Sequence, residues 1–178
     1  YFMGSGMMQA VKMNQGIGIN SNVVDDISLE IKQATSPFTT VAISTGVMNT
    51  NGITQFNFSP IPTGLYYAVL KYKNSVETWS ASPIPILTTS TYDFTTNANK
   101  AFGSNQTEVE SGVWALYSGD INQDGSIDAF DYILQDPDII DGASGYLSTD
   151  LNGDGIVDVF DYLVMEPNLT EGIGAITP

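Results

Sequence analysis

The chain of 178 residues carries twenty acidic side chains against five lysines, a formal net charge of −15, and contains no arginine, histidine or cysteine. Positive charge this sparse excludes a nucleic-acid groove, which needs a basic surface with stacking aromatics. The missing residue types exclude nucleophilic triads, imidazole acid–base chemistry, guanidinium clamps and thiolate metal sites, and no run of eighteen apolar residues supplies a membrane-spanning helix.

The chain opens with a stretch, uncharged before Lys12, in which Met3, Met7 and Met8 sit among glycines. It reads as a first strand near 5–13. Residues 1–13 are alternatively a donated or swapped strand, because an apolar strand at a terminus can add to the open sheet edge of a neighbouring subunit. Further on, Ile27, Leu29 and Ile31 alternate with polar residues, as do Val41 with Ile43 and Phe56 with Phe58. This is the period-two pattern of half-buried strands. Turn signals at Ser36-Pro37, Asn49 to Gly52, Pro60 to Gly64 and Ser82-Pro83 separate the runs. Strands are predicted near 25–33, 39–48, 53–59, 65–73, 75–80, 86–94 and 107–117, and many short strands at this spacing imply a β-sandwich over residues 1–117.

Within that region Asp25-Asp26 reads as a solvated turn opening a strand, and Glu30, Glu77, Glu108 and Glu110 form no recognisable catalytic pair. Trp79 and Trp114 read as buried sandwich tryptophans, with a sugar-stacking platform as the alternative. Asn57, Asn105 and Asn168 lie in N-x-S/T triplets that offer glycan attachment points.

Phe56-Asn-Phe-Ser-Pro-Ile-Pro-Thr-Gly-Leu-Tyr66 resembles the F-x-F-x-x-I-x-x-G-x-Y pattern of prealbumin-like sandwich modules, which occur as stalk repeats and accessory domains of exported proteins. Taken with Glu77-Thr-Trp-Ser80, Tyr92-Asp-Phe-Thr95 and Gly112-Val-Trp114, the whole chain resembles the C-terminal regions of exported Bacteroidetes-type proteins. There an immunoglobulin- or prealbumin-like β-sandwich runs into a second, acidic module.

That second module, residues 118–178, holds two matching twelve-residue loops, Asp120-Ile-Asn-Gln-Asp-Gly-Ser-Ile-Asp-Ala-Phe-Asp131 and Asp150-Leu-Asn-Gly-Asp-Gly-Ile-Val-Asp-Val-Phe-Asp161. Each sets oxygen ligands at positions 1, 3, 5, 9 and 12 with glycine at 6 for the sharp turn, the pattern of an EF-hand-type calcium loop. Ca2+ takes about six to eight oxygens at roughly 2.3–2.6 Å. Asp120, Asn122, Asp124 and Asp131 supply them in the first loop, and Asp150, Asn152, Asp154 and Asp161 in the second. The backbone carbonyls of Ser126 and Ile156 fill position 7, and Asp128 and Asp158 bind at position 9 directly or through water. Ile127 and Val157 point away from the metal and are placed for a short strand contact between the paired loops. An ordinary acidic turn is the alternative, but duplication of all five oxygen positions weighs against it. Without a cation, each loop crowds four aspartates together. Two Ca2+ ions are therefore expected, as the only cofactor.

These loops resemble type I dockerins, whose duplicated loops begin D-x-N-x-D-G and end in Asp, each followed by one helix. The helices are predicted over Ala129–Gln135 and Val159–Met165, stopping before Pro137 and Pro167 because the residue preceding proline disfavours the helical region. In dockerins the two positions before the final Asp often carry small polar groups that contact a cohesin partner. Here they are Ala129-Phe130 and Val159-Phe160, so these apolar faces are expected to pack against this protein's own neighbouring domain or another subunit.

The resulting expectation is mainly β: a sandwich followed by a small α-helical, dockerin-like module. The protein is read as non-catalytic, calcium-stabilised, and extracellular or on a bacterial cell surface, with Tyr1 the start of a mature or trimmed chain. It is expected to self-associate into a homopolymer, a fibre or scaffold, through its N-terminal strand. The alternatives are a tethering module of a larger enzyme or adhesin that binds a protein partner through the dockerin-like face, and a carbohydrate-binding module.

Overall fold

The computed structural model describes residues 5–178 and is mainly β with few helices, consistent with a β-sandwich. A single helical turn, α1 (Val11–Asn14), precedes β1 (Val23–Gln33), β2 (Thr40–Asn49), β3 (Gly64–Tyr72), β4 (Ser75–Trp79) and β5 (Ile84–Ile86). These strands form one antiparallel sheet in the order β2-β1-β3-β4, with β5 pairing the start of β3. Two 3-10 turns, Ala98–Lys100 and Phe102–Ser104, lead to a hairpin of β6 (Thr107–Glu110) and β7 (Val113–Ala115). Helices α2 (Ala129–Asp141) and α3 (Val159–Glu171) follow the two acidic loops.

Alternation along β1 decides what the sheet buries. Ile27 lies in a core with Val11, Val24 and Met48, against which Phe56 packs, and Ile31, in the same phase of the strand, is also buried. On the opposite face Tyr67, Val69 and Trp79 pack under Phe38 and Phe102 as edge-to-face aromatic contacts. A third cluster joins Val76 of β4 to Ile121, Ile127 and Met165 of the acidic half, so the packing crosses the 117/118 boundary.

Asp25 shares the inward phase of Ile27 and Ile31, and a register shift between Val23 and Asp25 lets both Val24 and Asp25 be buried. It is therefore no solvated turn. Tyr72 and Tyr146 donate their hydroxyls to its carboxylate at 2.9 Å, and Lys73 lies 3.3 Å away.

The predicted first strand is replaced by α1 and the chain around it. The helical spacing puts Val11 and Gln15 on one buried face, while the Met8 N–H donates to the Thr50 carbonyl at 2.8 Å. Residues 5–13 thus lie on their own chain; the rest of the donated-strand reading, residues 1–4, falls outside the described residues. The predicted strand 53–59 shrinks to one bridge, Met48 with Thr54. Gly46 opens room there, since a Cβ would meet Thr54 Cγ2 at 2.6 Å and the Gln55 carbonyl at 2.7 Å, and the segment runs close along β2. Only Ile86 of 86–94 is in a strand, because the Ser90 hydroxyl turns the chain by bonding Leu87 N–H and the Pro85 carbonyl.

Both outer strands are partly covered. Asn57 N–H reaches the Ser44 hydroxyl beside β2, and Val76 N–H of β4 donates to the Tyr117 carbonyl at 3.0 Å. Trp79 is 4% exposed beneath Phe38, which leaves no platform of Trp79 and Trp114 for a sugar. Of the three triplet asparagines, Asn57 is exposed, but Asn105 is buried and gives its amide to the Gly174 carbonyl, and Asn168 gives its amide to the Ser118 carbonyl.

Both helices run through their prolines rather than stopping before them. Proline removes one intrahelical donor, but the next turn is closed independently by Ala143 N–H to Asp138 and Ile173 N–H to Asn168. Gly142 and Gly172 then end the helices in the left-handed conformation.

Candidate metal centre

In each loop the final aspartate organises the backbone. Asp131 Oδ1 accepts from Ile121 and Asn122 N–H, and its Oδ2 from Asp128 N–H at 2.9 Å. Asp161 repeats this with Leu151, Asn152 and Asp158. Asp128 and Asp158 cap their helices, completing a capping box with Asp131 and Asp161. Asn122 with Asp124, and Asn152 with Asp154, meet side chain to side chain at 2.9 and 3.2 Å. Positions 3 and 5 therefore meet directly in each loop, the position 12 carboxylate is held by backbone N–H groups, and the position 9 carboxylates are engaged by helix N-termini.

The loops do not pair with each other as the sequence suggested. Ile127 N–H donates to the Ile173 carbonyl and Val157 N–H to the Ala143 carbonyl, both at 2.7 Å. Each loop thus grips a segment following a helix, because the helices return that chain to the loops. Bridges at position 7, Ser126 with Gly174 and Ile156 with Ser144, repeat the arrangement. Ile127 and Val157 are buried behind the loops as expected, each contributing about 1.5–3 kcal/mol.

Among the described residues no group of three or more His, Cys, Asp or Glu gathers as a metal-holding cluster, so any cation must rely on mixed oxygens. The first loop holds one buried acceptor that a cation would fit. Asp120 is 2% exposed, its Oδ2 accepts from Gly125 N–H, and its Oδ1 is buried without a hydrogen-bond partner. Burial, reinforced by the Asp131 carboxylate, pushes Asp120 up to about 6. Burial likewise lifts Asp161 to about 6 against the backbone donors that hold it. A buried acceptor without a donor is costly, and the hard-oxygen set around it fits Ca2+. Asp120 also borders an open polar cleft of about 380 Å3 lined with Lys71, Glu77, Asp124 and Gly125.

The second loop is closed instead. Asp150 accepts from Gly153 and Gly155 N–H and also from the Gln15 side-chain amide. Lys73 donates to Gln15 Oε1 at 3.1 Å and also pairs with Asp25. Burial pulls the Lys73 amine down while the Asp25 charge opposes it. This Asp25–Lys73–Gln15–Asp150 chain, with Tyr72 and Tyr146, is the part of the site that sequence reasoning missed. Its one sequence signal was Asp25 standing in phase with inward apolar residues.

The helices present their apolar residues outward. Phe130 is 66% and Phe160 62% exposed, with Ile133, Leu134, Val159 and Leu163 also exposed, and Tyr132 meets Tyr162 edge to face at 5.4 Å. Packing of these faces on the protein's own sheet domain is therefore overturned.

No family model and no curated protein matches the chain. Among solved structures, a chain of a type II cohesin–X–dockerin complex from Acetivibrio cellulolyticus, a C-terminal interface mutant, is similar in fold at 16% identity. The match has a TM-score of 0.50 and covers 88% of this chain and 84% of that one. A chain of the N-terminal interface mutant of that complex matches at 17% identity, covers 80% of each chain, and has a TM-score of 0.48. At this identity the likeness bears on fold alone.

Proposed function

We propose that this chain is a non-catalytic, exported docking module: a β-sandwich joined to a dockerin-like unit of two calcium loops, which engages a protein partner through α2 and α3. The observation that carries this is the exposed apolar face formed by Phe130, Ile133 and Leu134 with Val159, Phe160 and Leu163. Large apolar side chains gathered exposed on the two helices of a highly acidic protein mark an interaction site. The pseudo-symmetric placement of Phe130 and Phe160 gives that surface two equivalent anchors of the aromatic kind that dominates interfaces. Two Ca2+ ions would be held by Asp120, Asn122, Asp124 and Asp131 and by Asp150, Asn152, Asp154 and Asp161, with carbonyls of Ser126 and Ile156. Their role is structural: they neutralise crowded carboxylates and fix the start of each helix.

Homopolymer assembly by strand addition draws less support, since residues 8–15 are used internally and both outer strands are partly covered. The similar fold found in a cohesin–X–dockerin complex suggests a cohesin-type sandwich as the partner. Biolayer interferometry against a panel of type I and type II cohesins tests this. Binding in Ca2+ that is lost in chelator and in Phe130→Ser/Phe160→Ser is expected; no binding across the panel would sink the cohesin partner.

A further inference from the structure

We infer that the N-terminal segment Gln9–Gln15 is an integral part of the second calcium site, with Gln15 a positioning residue for Asp150, so that occupancy of the second loop and docking of this segment are coupled while the first loop stands apart. The inference rests on the calcium reading above and deepens it.

The two loops match in sequence but differ in what covers them. At position 4 the first loop has Gln123, whose side chain reaches the Ser75 carbonyl at 3.3 Å and the Asp120 carbonyl at 2.6 Å. The second has Gly153, where a Cβ would meet Val11 Cγ2 at 2.6 Å. At position 6, a Cβ on Gly125 would meet only Ala175 at 3.7 Å, whereas one on Gly155 would strike the Asn14 carbonyl oxygen at 2.3 Å. The second loop is thus shaped to a backbone lying against it. Asn14 donates its side-chain amide to the Gly153 carbonyl at 2.9 Å, and Gln15, 3% exposed, donates to Asp150 Oδ2.

Asp150 is position 1 of the loop. Fixing one of its oxygens with an amide orients the carboxylate, as outer partners of metal ligands do. In the first loop the equivalent Asp120 has no such partner and borders an open cleft. Whatever ion orders the second loop must therefore favour the docked segment, and the docked segment must favour the ion to the same degree.

The test combines calcium titration calorimetry with amide hydrogen exchange on the full chain. Wild type takes up two Ca2+. Gln15→Ala, which alters no ligand, weakens one site by about 10–100-fold and leaves the other unchanged. In Ca2+, Asp154→Ala accelerates exchange of the Asn14, Gln15 and Ile17 amides by about 5–150-fold, whereas Asp124→Ala does not. Two bound ions with both affinities unchanged in Gln15→Ala, or equal exchange in the two aspartate variants, overturn the coupling and leave the calcium reading standing. No uptake by wild type overturns the calcium reading and the coupling with it. Should Asp154→Ala fail to fold, the Gln15→Ala affinities decide.

Discussion

Asp25 shows how much one inward carboxylate can organise. It is fully buried, yet Tyr72, Tyr146 and Lys73 converge on it from β3, the loop after α2 and the β3–β4 turn. Removing one member of a buried ion pair leaves the other charge uncompensated, at a cost of about 3–5 kcal/mol. Asp25→Ala is therefore expected to lower stability by that amount in urea unfolding; a loss under about 1 kcal/mol, the worth of an exposed pair, would mean the network is not held out of water. The acidity of positions 25 and 26 was plain in the sequence, but the partners of Asp25 were not, because Tyr146 lies 121 residues away. The two loops are local in sequence, so the helix starts at Ala129 and Val159 fall where the spacing placed them, while the capping duty of Asp128 and Asp158, read as position 9 ligands, was not anticipated.

At the scale of elements, local preference was overridden where neighbours supplied missing contacts. Pro137 and Pro167 stay inside helices because each turn beyond is sealed by its own glycine cap. The cost of the missing donor remains in place. Pro137→Ala restores an N–H facing the Ile133 carbonyl and is expected to raise stability by about 1–3 kcal/mol in thermal melts; unchanged or lowered stability would show that the proline ring contributes packing that outweighs the lost bond. Strand β2 alternates over its length and β1 over part of it, which made them readable, whereas β3 and β4 carry no such period and were placed by the turn signals that flank them. The segments 53–59 and 86–94 were not readable, since a short alternating run looks the same whether or not its backbone pairs into a sheet. Gly46, which makes the close approach of Thr54 and Gln55 possible, is informative only once the neighbour is known.

For the whole molecule, Val76 of the sheet shares a core with Ile121, Ile127 and Met165 of the loops and α3. The two halves proposed from composition and motif are thus joined by apolar packing and by the Asp25–Lys73–Gln15–Asp150 chain. A ligand that binds only the folded state adds about 2.7 kcal/mol per site at a hundredfold excess over Kd. Calorimetric melting is therefore expected to give one transition that moves to lower temperature in chelator. Two separate transitions, with only the upper one insensitive to chelator, would mean that the shared core does not couple the halves. The sequence suggested two modules but gave no sign of how the two halves join, because the residues that join them are few and widely separated along the chain. Gln15 and Asp150, for instance, are 135 positions apart.

The pseudo-symmetric grip of the loops has a mechanical side. The chain's early segment is fastened to the second loop through Asn14 and Gln15, and its late segment to the first loop through Ile173 and Ala175. Tension on the late end of the described chain enters at the first loop through Ala175 and Ile173 before it reaches α3, whereas tension on the early end meets Met8, bonded to Thr50 beside β2, and only then the second loop, so the two loops would share a pulling load unequally.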